Sequence, residues 1–239
     1  SKGESMSLLA IWSPKGGSGT SVVAAACSLV LARSGPTRLA DLAGDQPAIL
    51  GMGNDPDTGL LDWLALGPEA ESEALMRISV TAAPNLSVLP IGGALLQEVN
   101  PSAESGAALA VALRDGPPTV IDLGTANTAA AQGVLEVADI SLIVVRPCYL
   151  ALRRGVRRAF TRRVAGVVLV EEPGRALGVR EIADVIGRPV IARVPVREVI
   201  ARAVDAGVLP TRIPEALERA ARDALNAVGL NPSEAGAAA

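Results

Sequence analysis

Short apolar runs bounded by turn residues alternate along this chain with longer stretches of helical period. Leu8–Trp12, Thr37–Asp41, Leu86–Pro90, Thr119–Asp122, Ala138–Pro147, Val164–Val170 and Arg188–Pro195 read as strands. Thr20–Arg33, Pro101–Leu113, the segment after Pro147, Val179–Ile186, Val199–Gly207 and Pro214–Val228 read as helices. Met52–Ala83 reads as helical and loop-rich, with one helix over Gly59–Leu66 around Trp63 and another opening at Pro68 and running into Met76. Strands apolar on both faces, separated by helices, predict one α/β domain: a single doubly wound, mostly parallel sheet with helices on both faces. In such a sheet, ligands bind where the strands end at their carboxyl termini.

The first strand and the first helix are joined by Ser13-Pro-Lys-Gly-Gly-Ser-Gly19. Gly16, Gly17 and Gly19 open backbone conformations closed to other residues, so the N–H groups from Gly16 through Ser18 to Ser21 can turn toward an anion at the helix start. Strand, glycine turn and helix together make a phosphate-loop arrangement, and the Ser21 hydroxyl stands where it can bind a phosphate-associated magnesium ion. The common pattern G-x-x-x-x-G-K-[ST] puts lysine just before that hydroxyl, and this chain has Thr20 there.

Two strands end in carboxylates. Asp122, in Thr119-Val-Ile-Asp-Leu-Gly124, is placed like a Walker-B acid that holds a water on the metal. Asp41 ends the second strand, where a carboxylate can orient attacking water; capping a helix or standing as a loop acid is the competing reading.

Composition adds a bias in the cations. Of the 22 basic residues only Lys2 and Lys15 are lysines, which leaves 20 arginines. Ser1–Ser5 ahead of Met6 read as an expression remnant, so Lys15 is the one lysine of the domain, which spans residues 6–230. A chain that chooses arginine elsewhere points to a need for a slim ammonium at Lys15, with codon bias as the plain alternative. Asn231–Ala239 read as a disordered tail.

The net charge of −3 gives no overall pull toward nucleic acid or membrane. Arg153, Arg154, Arg157, Arg158, Arg162 and Arg163 nevertheless cluster on one helix, the first five spread over about half its circumference while Leu152, Val156 and Phe160 recur as an apolar stripe. That face suits DNA phosphates or an acidic partner, or is simply solvated. Cys27 and Cys148 lack metal-ligand spacing, and Cys27 reads as core filler. No signal peptide and no membrane-length apolar run is visible, so a cytoplasmic protein without a membrane span is expected.

Lys15-Gly-Gly-Ser-Gly-Thr-Ser21 resembles the deviant phosphate loop K-G-G-x-G-K-[ST] of the ParA/MinD family of ATPases. The resemblance implies that Lys15 crosses a homodimer interface to the partner's nucleotide, while the lysine acting within its own site is missing at Thr20. Asp41-Leu-Ala43 matches the first but not the second acid of the family's D-x-D pair, and Asp41-Leu-Ala-Gly-Asp-Gln-Pro-Ala-Ile-Leu-Gly51 looks most like the TadZ/CpaE branch, which localises pilus-assembly machinery. The family's adenine-reading asparagine is absent after Val170, and Pro195 matches its adenine-side loop.

The resemblance thus implies a dimeric positioning protein, polar or nucleoid-associated, that serves a localisation or pilus-assembly partner. Its site would take ATP and Mg2+ weakly or not at all, because a charge-assisted phosphate contact is worth about ten- to a hundredfold in affinity. The competing reading is a slow but active ATPase whose ATP-dependent dimerisation controls DNA or partner binding. A metabolic phosphate-loop enzyme or iron–sulfur reductase would need cluster cysteines or a substrate-binding insert that the sequence lacks.

Overall fold

A computed structural model describes residues 8–93, 100–148, 152–153, 163–174 and 177–230. Its strands are β1 (Leu8–Trp12), β2 (Thr37–Asp41), β3 (Val80–Ala83), β4 (Leu86–Leu89), β5 (Thr119–Asp122), β6 (Ile140–Val145), β7 (Val164–Glu171) and β8 (Val190–Pro195). The helices among the described residues are α1 (Thr20–Ala32), α2 (Gln46–Ile49), α3 (Leu60–Ala65), α4 (Glu73–Arg77), α5 (Ala103–Arg114), α6 (Ala129–Val137), α7 (Val179–Ile186), α8 (Glu198–Asp205) and α9 (Glu215–Ala227).

The strands form one sheet in the order β3-β4-β2-β5-β1-β6-β7-β8, and all neighbours are parallel except β3 on β4. The doubly wound sheet expected from the sequence is therefore observed. β1 lies between β5 and β6, where the chain changes its direction of travel across the sheet, so the β1–α1 loop opens into the switch-point crevice.

Alternation along the strands divides the core. Leu9 and Ile11 of β1 face a layer with α1 and α9, whereas Leu8, Ala10 and Trp12 face a layer with α3, α5 and α6. α1 is buried along almost its whole length, as expected for a helix apolar nearly all round. α5 and α6 pack through small residues: a Cβ on Gly106 would lie 1.9 Å from the Ala130 carbonyl oxygen, and one on Gly133 would lie 1.8 Å from that of Ala103. Trp63 is core, its indole N–H donating to the Glu71 carbonyl at 2.9 Å.

Three elements depart from the sequence reading. Val80–Ala83 lies in the stretch read as helical and loop-rich, yet it forms an antiparallel edge strand. Its side chains are small and half exposed, so no apolar alternation marks it, and a turn with Asn85 at φ 59° returns the chain to β4. α2 is one short turn, below the length at which periodicity is readable. α6 is rich in alanine and is started by the Thr128 hydroxyl, which accepts from the Ala131 N–H at 3.2 Å.

Candidate functional site

The β1–α1 loop is shaped by left-handed residues: Gly17 has φ 73° and Gly19 φ 85°. Ser18 Oγ donates to the Lys15 carbonyl at 2.7 Å, and Ser13 Oγ donates to the same oxygen at 2.9 Å, which curls the loop on itself. The Ser13 N–H donates to the Gly124 carbonyl at 2.8 Å, so the β1 and β5 loops are stitched together. Gly19 begins α1 without any side-chain cap, and the first-turn N–H groups of this helix, thirteen residues long, have no side-chain acceptor.

Gly16, Gly17, Ser18, Gly19, Thr20 and Ser21 line one cavity of about 680 Å³ together with Ser13, Asp45, Gly124, Thr125 and Arg146. That volume suits a small-molecule ligand. An uncapped helix start, a glycine cradle and a hydroxyl at Ser21 form a donor set that fits a phosphate chain and its metal ion. Ser21 Oγ lies 3.3 Å from Asp45 Oδ2, to which it donates. Among the described residues, no group of three or more His, Cys, Asp or Glu could hold a metal by itself.

Asp41 and Asp122 end adjacent strands in register, and both are fully buried. Asp41 Oδ1 accepts from the N–H groups of Ala43 at 3.0 Å and Gly44 at 2.7 Å, and Oδ2 accepts from that of Gln46 at 3.0 Å. Both oxygens of Asp41 thus hold backbone donors of the β2–α2 loop, which the carboxylate anchors, and Asp41 is not part of the cavity wall. Burial and the Asp122 carboxylate push Asp41 up to about 7, against the three N–H donors that pull it down.

Asp122 Oδ1 accepts from the Gly124 N–H at 3.0 Å, and Oδ2 from Gln46 Nε2 at 2.8 Å. Burial raises its pKa also, with the hydrogen bonds from Gly124 and Gln46 opposing. Gln46 Nε2 donates in addition to the Ser21 carbonyl at 2.9 Å, tying both acids to the start of α1.

Lys15 does not line the cavity. Its Nζ lies 4.0 Å from Cys148 Sγ, beyond the end of β6. Pro195, at the end of β8, is also outside the cavity wall, whereas Val204 of α8 belongs to it. Burial pushes the Cys27 thiol up to about 12, in keeping with a core role. Of the basic face, Arg153 and Arg163 are exposed, and Arg163 donates to the Glu136 carbonyl at 2.8 Å. Arg154, Arg157, Arg158 and Arg162 lie outside the described residues.

Sequence reasoning missed Gln46, Asp45 and Arg146. Arg146 could have been found as a cation directly after an apolar strand, at the end where ligands bind. Gln46 carries no such signal, because its partners are far away in sequence.

No protein-family model matches the chain, and no curated protein matches it. Solved structures do. The ParA family ATPase from Chlorobium tepidum TLS is 22% identical with a TM-score of 0.78, over 96% of this chain and 100% of that one. The septum site-determining protein MinD complexed with Mg-ADP from Pyrococcus horikoshii OT3 is 19% identical with a TM-score of 0.78, over 95% of this chain and 99% of that one. The ATP complex of a substituted McdA from Cyanothece is 19% identical with a TM-score of 0.75, over 96% of this chain and 98% of that one. The chain has the α/β phosphate-loop fold of the ParA and MinD ATPase structures, across essentially its whole length.

Proposed function

We propose that the chain is a dimeric positioning protein of the ParA/MinD type, of the TadZ/CpaE kind, that holds ATP and Mg2+ in a degenerate site with weak or no hydrolysis. The observation that carries this reading is a phosphate cradle, complete in backbone and in the Ser21 hydroxyl, that lacks the loop lysine at Thr20. Gly16–Ser21 would hold the phosphates through N–H groups, and Ser21 would hold the metal ion, with Asp122 reaching it through water. The metal supplies charge neutralisation on the outer phosphates. Lysine at position 20 would also stabilise the transition state, so its absence costs hydrolysis more than binding.

A dimer in which Lys15 serves the partner's nucleotide is supported by its place outside the cavity wall of its own chain, with Nζ against Cys148. The Pyrococcus MinD structure is a complex with Mg-ADP and the Cyanothece McdA structure a complex with ATP, which supports the same ligands here. No helix among the described residues is long and apolar enough to cross a membrane. The arginine face from Arg153 to Arg163 would meet DNA or an acidic partner.

The alternative is a slow, active ATPase whose ATP-dependent dimerisation controls DNA or partner binding. It is favoured by the Ser21–Asp45 contact, which keeps a hydroxyl and a carboxylate together at the cradle. Phosphate release under saturating ATP and Mg2+, measured with Lys15→Ala as the control, separates the two. Turnover abolished by that substitution supports the active enzyme, and background turnover in both proteins supports the scaffold.

A further inference from the structure

We propose that Arg146 is the phosphate-binding cation of this site, supplying from the end of β6 the charge that the glycine loop lacks at Thr20. The inference rests on the nucleotide reading above.

Arg146 is the one basic side chain among the described residues that line the cavity. A nucleoside triphosphate brings several negative charges into a space whose other charged wall residue is Asp45. Lys15 cannot neutralise them from its own chain in this arrangement, because it lies outside the wall against Cys148.

The fold delivers Arg146 to the loop. β6 is parallel to β1 with Trp12 opposite Ile143, so the two strands end side by side, and Arg146, directly after β6, lines the same cavity as the glycine turn after β1. Its guanidinium is held by one hydrogen-bonded ion pair, Nη1 to Glu172 Oε1 at 2.9 Å, beyond the end of β7. Nε is buried and has no partner. A guanidinium has five N–H donors in a rigid fork, and the single ion pair through Nη1 leaves donors of that fork for an acceptor that enters the cavity. Phosphate oxygens suit that fork, which binds them in bidentate fashion. The Glu172 contact orients the group without neutralising the whole of it, since the Arg146 side chain keeps 40% of its surface exposed.

The test is a titration of the full chain and two variants, Arg146→Gln and Glu172→Gln, with ATP–Mg2+, with adenosine, and with inorganic tripolyphosphate as competitor. Arg146→Gln is expected to weaken ATP and tripolyphosphate about ten- to a hundredfold and to leave adenosine unchanged. Glu172→Gln breaks the same ion pair but frees the guanidinium, so it is expected to hold or tighten ATP binding.

Equal ATP affinity in Arg146→Gln and the parent chain would overturn the assignment while leaving the nucleotide reading intact. So would a loss in Glu172→Gln as large as in Arg146→Gln, which would make the pair structural, and so would an adenosine loss matching the ATP loss. A parent chain that binds neither ATP nor tripolyphosphate would overturn the nucleotide reading itself, and Arg146 with it.

Discussion

Gln46 donates its side-chain amide to the Asp122 carboxylate at 2.8 Å, and the same nitrogen reaches the Ser21 carbonyl at 2.9 Å. One fully buried side chain thus joins the end of β5 to the start of α1, while its backbone N–H is held by Asp41. Gln46→Ala leaves two buried acceptors without their donor. It is expected to lower stability by about 2–4 kcal/mol, read as a shift of the urea midpoint at constant slope. A change under about 0.5 kcal/mol would remove Gln46 from the framework of the site.

The buried acid pair makes stability pH-dependent. With Asp41 raised from 3.8 to about 7, the folded protein binds more protons than the unfolded chain between those values. Its contribution is therefore fully present below pH 3.8 and is lost as pH rises through about 7, by up to about 4 kcal/mol. The raised pKa of Asp122 acts in the same direction. Urea midpoints measured from pH 5 to 8 are expected to fall with pH in the parent chain and to flatten in Asp41→Asn. A midpoint that rises over this range would contradict the buried pair.

The contact between α5 and α6 depends on two glycines whose Cβ positions fall inside the facing backbone. Gly106→Ala or Gly133→Ala forces the helices apart and is expected to cost about 3 kcal/mol, measured by thermal or urea unfolding. The same substitution at Gly174, where an added Cβ meets nothing within 4 Å, carries only the strain of φ 79° and serves as the comparison.

Thr20 lines the cavity at the start of α1, so Thr20→Lys places an ammonium inside the cradle. ATP–Mg2+ affinity is expected to rise about tenfold or more, with phosphate release rising by a larger factor. Unchanged affinity with an intact fold would mean that the cradle does not hold phosphates at Thr20.

Much of this was legible in the sequence, for a physical reason. Strands buried on both faces announce themselves as continuous apolar runs, and Leu8–Trp12, Thr37–Asp41 and Thr119–Asp122 appear where the runs do. The glycine loop is legible because Gly17 and Gly19 adopt left-handed angles that other residues resist. The edge strand Val80–Ala83 was hidden by small, half-exposed side chains. The carboxylates were placed correctly at strand ends, but the sequence carries no record of three N–H groups converging on Asp41, and that convergence makes it an anchor. Arg146 looked like one arginine among 20 until the fold brought it to the wall of the cavity that the glycine loop lines.

The cradle is expected to hold nucleotide without its loop lysine and scarcely to turn it over. Calorimetric titration of the full chain with ATP and Mg2+, with light scattering and phosphate release on the same samples, is the decisive measurement. Saturable binding, a dimer in the ATP-bound sample and phosphate release near background are expected. No binding by a chain that is folded would contradict this expectation.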